Sequence, residues 1–368
     1  MESVPVARLK CRAVTLQVYL ERIATATFDN DVHTAFVQYA HGMLRDERSR
    51  ALFLRMAERS GIEARYSPLR VDGAELPEAV DAYALYQPDA FPATATRMQL
   101  YRRFAPALMR RALDRLHLTD EERRRIRHVV VTSCTGFYAP GLDFDAVDYL
   151  GLDPSVERTM IGFMGCYAAI NALKQARHIV RSQPDDSVLV INLEICTLHL
   201  QESQDLGQVL SFLVFGDGCA ASLVSARPAG FELESFRAVR LEDTSSLITW
   251  NVGDQGFDML LSGQVPAAVG QALHAHRSDI VGERDVSLWA VHPGGRSVLD
   301  AVEDALSLPA SALQASREVL RLYGNMSSAT VMFVLQAMMK TAPPNALGCA
   351  MAFGPGLVAE TMKFKVAG

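Results

Sequence analysis

Short continuous apolar runs, rich in Val, Ile and Leu, alternate along this chain with longer stretches whose apolar residues recur at helical spacing. The first pattern suits strands buried on both faces and the second suits helices, so their alternation predicts a layered α/β protein with buried strands. Strands are predicted at residues 127–133, 187–195, 219–225, 286–291 and 348–353. Helices are predicted at 167–181 and 329–340, each beginning right after a cluster of small or polar residues. Two strand-then-helix modules result, one per half. A charged amphipathic helix over 45–59 should close at Gly61, since glycine takes the left-handed cap without strain. The best internal boundary is the Arg-Pro-Ala-Gly turn within 226–230. The expected organisation is an extension over 1–17, a first half over 18–228 and a second half over 229–368, the halves sharing one core.

With 368 residues, 49% of them hydrophobic and 21% charged, the chain can bury a large core. Its net charge of -6, with acids and bases mixed, leaves no electrostatic footprint for nucleic acid. The densest basic run, residues 123–127, directly follows Glu121 and Glu122 and reads as a solvated helix end. No basic segment leads into an apolar stretch and a small-residue cleavage site, and no apolar run reaches the ~18 residues a membrane span needs. The expectation is a cytoplasmic protein with no membrane span. Six cysteines, at 11, 134, 166, 196, 219 and 349, form no Cys-x-x-Cys pair and no zinc-type spacing with His. Reduced thiols, most of them small buried apolar residues, and no metal site are expected.

The segment Met-Ile-Gly-Phe-Met-Gly-Cys-Tyr-Ala-Ala-Ile at 160–170 puts Cys166 after two glycines and at the start of an Ala-rich helix. A free thiol of pKa ~8.5 is only a few per cent ionised at neutral pH, whereas a helix terminus with a cationic His lowers it to about 3.5–7.5. The terminus alone contributes ~0.3–1 kcal/mol, so a second partner is needed. His292 is the best of nine candidates, because Trp-Ala-Val-His-Pro-Gly-Gly places it at the end of a buried strand, where sites in α/β folds sit. The glycine pair behind it lets backbone approach a ligand closely. Asn325, in Tyr-Gly-Asn-Met-Ser-Ser-Ala-Thr at 323–330, lies ahead of the second helix. Its amide suits either donation to an oxyanion or capping of that helix, and both readings stay open. Together the three divide one reaction: a thiolate attacks a thioester while His and Asn donors stabilise charge on the carbonyl oxygen. The same donors would hold the enolate left when a malonyl group loses carbon dioxide. That route needs no metal and no general base, in keeping with the absence of a carboxylate pair from these segments.

Six ordered blocks carry a family resemblance: Gly-Ile-Glu-Ala-Arg-Tyr at 61–66, Gly-Cys-Tyr-Ala-Ala at 165–169, Leu-Val-Phe-Gly-Asp-Gly at 213–218, Trp-Ala-Val-His-Pro-Gly-Gly at 289–295, Tyr-Gly-Asn-Met-Ser-Ser at 323–328 and Phe-Gly-Pro-Gly at 353–356. From about Gly61 to Glu360 the chain resembles the type III polyketide synthases, the chalcone and stilbene synthase family. The resemblance implies a thiolase-like fold of duplicated αβαβα layers, with Cys166 and Asn325 opening equivalent central helices, and a homodimer. It implies acyl-CoA and malonyl-CoA as substrates, no further cofactor, Cys166 as nucleophile, and His292 and Asn325 as the decarboxylation and oxyanion pair. Phe215 and Phe257 become gate aromatics, Ser327, Gly354 and Pro355 border the substrate, and Arg55 and Arg59 contact the coenzyme A phosphates. Leu52 stands where plant members have Lys. The cavity lining also departs from plant members: Cys196 and His199 replace threonines, Cys134 lies in Thr-Ser-Cys-Thr-Gly, Ala352 replaces a glycine, and Ala139 replaces a Met that reaches across the dimer.

These departures look bacterial and suggest room for an aliphatic tail, each methylene of which gains about 0.8 kcal/mol on burial. The expected reaction is extension of a medium- or long-chain acyl-CoA by two or three malonyl-CoA units to an alkylpyrone or alkylresorcinol. A small starter giving a compact aromatic product is the alternative. Two rivals are a ketoacyl-carrier-protein synthase, whose His usually precedes Gln-Ala-Asn, and a non-catalytic acyl-binding scaffold.

Overall fold

The computed structural model describes residues 16–71, 80–282 and 285–368. The expected extension over 1–17, apart from its last two residues, lies outside the described residues, as does Cys11. Nine strands make the main sheet: β1 (Tyr19–Ala26), β2 (Ile126–Ser133), β3 (Glu157–Gly162), β4 (Ser187–Ile195), β5 (Asp217–Ser225), β6 (Phe231–Arg240), β7 (Leu288–Val291), β8 (Leu347–Gly354) and β9 (Val358–Val366). Their order is β7-β8-β9-β6-β1-β5-β4-β2-β3. Each half repeats one succession. In the first, β2 runs parallel to β4, then β5 and β1 follow antiparallel. In the second, β7 runs parallel to β8, then β9 and β6 follow antiparallel. The strands of the two halves pair at Tyr19 with Glu232 and Leu20 with Phe231. The segment 226–230 is the turn between β5 and β6, where Gly230 has a φ of 65° and no room for a Cβ, which would lie 2.3 Å from the Leu20 carbonyl oxygen.

All five predicted strands are present, with ends shifted by at most two residues. β5 starts earlier than its apolar pattern because Asp217 and Gly218 pair with Ile195 and Glu194. β1, β3, β6 and β9 escaped prediction: charged residues interrupt their apolar positions, which weakens the strand signal.

Seven helices complete the frame used below: α1 (Glu47–Ser60), α2 (Thr94–Leu116), α3 (Ala168–Ser182), α4 (Leu206–Leu213), α5 (Val265–Ala275), α6 (Arg296–Leu306) and α7 (Thr330–Met339). Strand side chains alternate faces, so neighbouring residues show which layers touch which. Val129 and Val131 pack with Tyr101, Phe104 and Leu108 of α2, while Val130 faces the opposite core. In the second half Val291, Cys349 and Met351 pack against α5 and α6, whereas Ala290 and Ala350 face that same middle core. The middle core holds α3 and α7 between the two sheet halves. Helix, sheet, helix, sheet, helix is therefore the layering, the thiolase-like arrangement expected. α3 presents Ala169, Ala172 and Ala176, small enough for close approach, and α7 is largely apolar, with Val331, Met332, Phe333, Val334 and Leu335 all buried. The charged helix runs Glu47–Ser60, capped by Asp46, whose Oδ1 accepts from the Ser49 N–H at 2.8 Å, and closed by Gly61 at φ 70°. The basic residues Arg123, Arg124 and Arg125 end a short helix with no buried residue. Among the described residues no helix is long and apolar enough to cross a membrane.

Candidate active site

Cys166 sits where β3 turns into α3. Phe163 at φ 54° and Gly165 at φ 69° bend the chain back sharply, and a three-residue 3-10 turn, Gly165–Tyr167, carries the thiol to the mouth of α3. A Cβ on Gly165 would stand 2.4 Å from Pro355 Cδ, and one on Gly354 would stand 2.8 Å from the Tyr167 ring. These glycines are needed because the Phe-Gly-Pro-Gly loop after β8 lies directly on the cysteine turn, tied by Tyr167 Oη donating to the Pro355 carbonyl at 3.1 Å.

His292 follows β7, its N–H held by the Met351 carbonyl of β8 at 2.8 Å. The ring is buried, 1% exposed, and neither Nδ1 nor Nε2 has a hydrogen-bond partner. A buried orphan of this kind costs about 1–3 kcal/mol, which singles it out as a site group. Asn325 is buried between the two. Its Oδ1 accepts from the Ser327 N–H at 2.9 Å, and its Nδ2 donates to the Gly294 carbonyl at 3.3 Å, two residues beyond His292. The oxygen thus shapes the local turn, as the capping reading anticipated in kind, though the residue preceding α7 is Ala329. Beyond the Gly294 bond, the Asn325 amide and the Ser327 side chain both reach the Cys166 thiol and favour its ionisation.

Those favourable contacts do not win. Burial pushes the Cys166 thiol up to about 12, with the Glu194 charge adding to it, against the Ser327 and Asn325 contacts. Burial alone pushes His292 down to about 3. Burial thus works against the expected thiolate and cationic His, favouring the neutral thiol and the neutral imidazole. Desolvation of a charge outweighs the fraction of a kcal/mol a helix end supplies.

Glu194, near the end of β4, was missed by the sequence reading. Its carboxylate accepts from the Cys134 N–H at 2.9 Å, Thr135 Oγ1 at 2.9 Å and Ser328 Oγ at 2.6 Å. Burial raises it to about 7 against those bonds. The available signal was a single acid inside the wholly buried run Ser-Val-Leu-Val-Ile-Asn-Leu-Glu-Ile. Arg65, in the Gly-Ile-Glu-Ala-Arg-Tyr block, was likewise not singled out. It is 1% exposed and donates to the carbonyls of Phe212 at 3.1 Å and Phe215 at 2.8 Å, fixing one cavity wall.

That cavity brings together Cys166, Cys134, Cys196, Phe215, Ser327 and Pro355, all named from the sequence, and adds Phe212, Ile248, Trp250 and Met259. Its free volume is about 30 Å³, room for a water or two. Burial keeps the Cys134 and Cys196 thiols protonated. Five expected residues lie elsewhere and do not line it. Phe257 is fully buried and stacks on His199 at 4.2 Å and 16°. His199 donates from Nε2 to the Thr135 carbonyl at 2.6 Å and accepts at Nδ1 from the Phe257 N–H at 3.2 Å, which fixes a neutral tautomer. Trp250 packs edge-on against both rings and donates to the Cys134 carbonyl at 2.6 Å. Arg55 and Arg59 are exposed on α1, and Ala139 is exposed on the surface ahead of Pro140.

Residues 23–228 match the family model for the N-terminal domain of chalcone and stilbene synthases, and residues 232–367 match that for the C-terminal domain. The chain is 34% identical over 253 residues to an α-pyrone synthesis polyketide synthase-like protein of Mycobacterium tuberculosis, covering 65% of this chain and 64% of that protein. It is 36% identical over 263 residues to bisdemethoxycurcumin synthase of Oryza sativa subsp. japonica, covering 64% and 65%. In both cases the match spans a little less than two thirds of the relative's length. Among solved structures, 1,3,6,8-tetrahydroxynaphthalene synthase from Streptomyces coelicolor superposes with a TM-score of 0.83 at 27% identity, covering 95% of this chain and 99% of that one.

Proposed function

The chain belongs to the chalcone and stilbene synthase family, and from that membership we propose a type III polyketide synthase that condenses malonyl-CoA, with loss of carbon dioxide, onto an acyl starter held on Cys166. The observation that carries this reading is the buried His292 ring, both nitrogens unpartnered, at a site where Asn325 ties the His292 turn to the cysteine turn.

From neutral thiol and neutral imidazole, loading begins with the thiol proton passing to His292, which leaves net charge unchanged in a medium that penalises single charges. The thiolate attacks the starter carbonyl, the tetrahedral oxyanion collapses, and coenzyme A leaves as a thiol with the proton from His292. Malonyl-CoA then places its thioester oxygen against the His292 and Asn325 N–H donors. Carbon dioxide departs, the electron pair of the broken carbon–carbon bond becomes an enolate held by those donors, and the enolate carbon attacks the Cys166 thioester. The new carbon–carbon bond forms as the cysteine sulfur leaves. Arg55 and Arg59, four residues apart on the exposed face of α1, are the proposed contacts for the coenzyme A phosphates.

The product class follows the similarity to an α-pyrone synthesis protein: an acyl-CoA starter, medium or long in chain, extended and released as an alkylpyrone or alkylresorcinol. One observation favours the compact-starter reading instead. The cavity's free volume of about 30 Å³ falls far short of an eight-carbon tail, and exposed Ala139 adds no space within the protomer. Turnover of malonyl-CoA with starters from acetyl to palmitoyl, products identified by mass, decides between them. Faster reaction with acetyl-CoA, or with no added starter, than with any chain of eight or more carbons selects the compact starter. No condensation with any starter overturns the synthase reading.

A homodimer forms part of the proposal. Phe137, Phe144, Met160 and Phe163 are exposed around the edge strand β3, a combination that a second copy would cover. A monomeric mass at micromolar concentration would count against it.

A further inference from the structure

Three cysteines meet at one end of the first half-sheet. β3 and β4 flank β2, all three parallel, and each leads to a cysteine beyond its C-terminal end: β2 to Cys134, the turn after β3 to Cys166 and β4 to Cys196. All three line the one cavity, whose free volume of about 30 Å³ leaves room for little besides a water or two among them. The condensing chemistry uses one of these sulfurs and leaves two nucleophiles without a task.

Exposure separates them. Of the five cysteines among the described residues, Cys166 alone is partly exposed and the rest are buried. A small oxidant therefore meets Cys166 first, and passing its proton to His292, as loading requires, makes the thiolate that an oxidant attacks. Cys134 is the thiol placed to answer. Ser133 pairs with Gly162 across β2 and β3, strands about 4.8 Å apart, so the two cysteines leave neighbouring strand ends. The Cys134 sulfur accepts from the N–H of Gly165, the residue before Cys166, at 3.1 Å. The Phe163 amide donates to the same sulfur. The Cys134 main chain is pinned as well, its N–H by Glu194 at 2.9 Å and its carbonyl by Trp250 Nε1 at 2.6 Å. Cys134 thus stays against the cysteine turn. The Cys196 sulfur, among the described residues, has no hydrogen bond to that turn.

We propose that Cys134 is the resolving thiol of an oxidant-modification site. Hydrogen peroxide converts Cys166 to a sulfenic acid and releases one water; the Cys134 sulfur then attacks the Cys166 sulfur, the hydroxyl leaves with the Cys134 proton as a second water, and a Cys134–Cys166 disulfide forms. Two thiols are oxidised, one peroxide is reduced to two waters, and a thiol reductant reverses the change. The bond takes Cys166 out of acyl transfer while sparing it the sulfinic state, which reductants do not repair. The covalent step stands apart from the condensing reading, because mass detects it without turnover. The full chain is treated with hydrogen peroxide, alkylated, digested and mapped by mass, as wild type, Cys134→Ser and Cys196→Ser. The wild type and Cys196→Ser should yield a Cys134–Cys166 cross-linked peptide, and reductant should then raise iodoacetamide labelling of Cys166 about tenfold or more. In Cys134→Ser, whose hydroxyl can still accept from Gly165, Cys166 should gain two or three oxygens, and reductant should raise its labelling less than about twofold. A wild type that forms sulfinic Cys166 with no cross-link, a Cys166–Cys196 bond, or no oxidation product overturns the proposal. So does equal recovery in the wild type and Cys134→Ser; if that variant does not fold, the wild-type peptide map decides alone. A Cys134–Cys166 disulfide in a protein that condenses no starter would uphold the modification site and overturn the synthase reading instead.

Discussion

Replacing Glu194 with Gln should flatten the pH dependence of stability and make Cys166 more reactive. The Glu194 carboxyl rises from 4.5 to about 7 in the folded protein because it is fully buried. The folded state then keeps a proton that the unfolded chain releases between those two values. Below about 4.5 both states are protonated and the shift costs nothing. As pH climbs toward 7 stability falls, and above 7 the buried carboxylate is ionised and the full cost, about 3 kcal/mol, is present. The amide keeps the pattern of contacts: its oxygen accepts from the Cys134 N–H and Thr135 Oγ1, while its NH2 donates to a rotated Ser328 hydroxyl. Asp217, also raised to about 7 by burial, titrates in the same window, so only the difference between wild type and variant isolates Glu194. Urea unfolding at pH 5, 6, 7 and 8 measures that difference. The wild type should lose about 2.5 kcal/mol more than Glu194→Gln between pH 5 and 8, because part of the cost is already present at pH 5. Because the Glu194 charge raises the Cys166 thiol, iodoacetamide should alkylate the variant faster at pH 8. Parallel stability profiles would refute the assignment of a strained buried carboxylate, whatever the alkylation rates.

Cys166→Ala should abolish chain loading yet retain slow malonyl-CoA decarboxylation, because the His292 and Asn325 donors remain; loss of both activities would show that decarboxylation depends on the loaded cysteine. Asn325→Asp keeps the oxygen that accepts from the Ser327 N–H and removes the N–H donors, including the one to the Gly294 carbonyl, so turnover should fall about 10²–10³-fold and the melting temperature should drop as well. Unchanged turnover in that variant would reduce Asn325 to its turn-shaping role. Gly165→Ala must place a Cβ 2.4 Å from Pro355 Cδ at a φ of 69°; it should lower stability by at least 1 kcal/mol, on the order of the left-handed penalty, and impair turnover as the cysteine turn moves. Wild-type kinetics and melting would show that the loop yields freely.

Much of the frame was legible because it follows from local pattern. Apolar runs such as the Val-Val-Val of Arg-His-Val-Val-Val-Thr-Ser suit only a sheet covered on both faces, and Gly165 beside Cys166 marks a turn that no Cβ fits. Cys166, His292 and Asn325 were legible too, each at the end of a strand or the start of a helix. What the sequence could not carry is the environment that distant elements create together. The thiol's pKa moves opposite to the local expectation because burial, set by both halves, exceeds the helix-end effect. Phe257 and His199 stack away from the cavity because a turn near residue 199 meets a hairpin near residue 257, a contact no periodicity encodes. The roles of Glu194 and Arg65 likewise come from their partners, Ser328 and Phe215, more than a hundred residues away. Secondary structure is written in short-range spacing, whereas desolvation and hydrogen-bond satisfaction depend on which surfaces the tertiary fold presses together, and those terms decide the chemistry of this site.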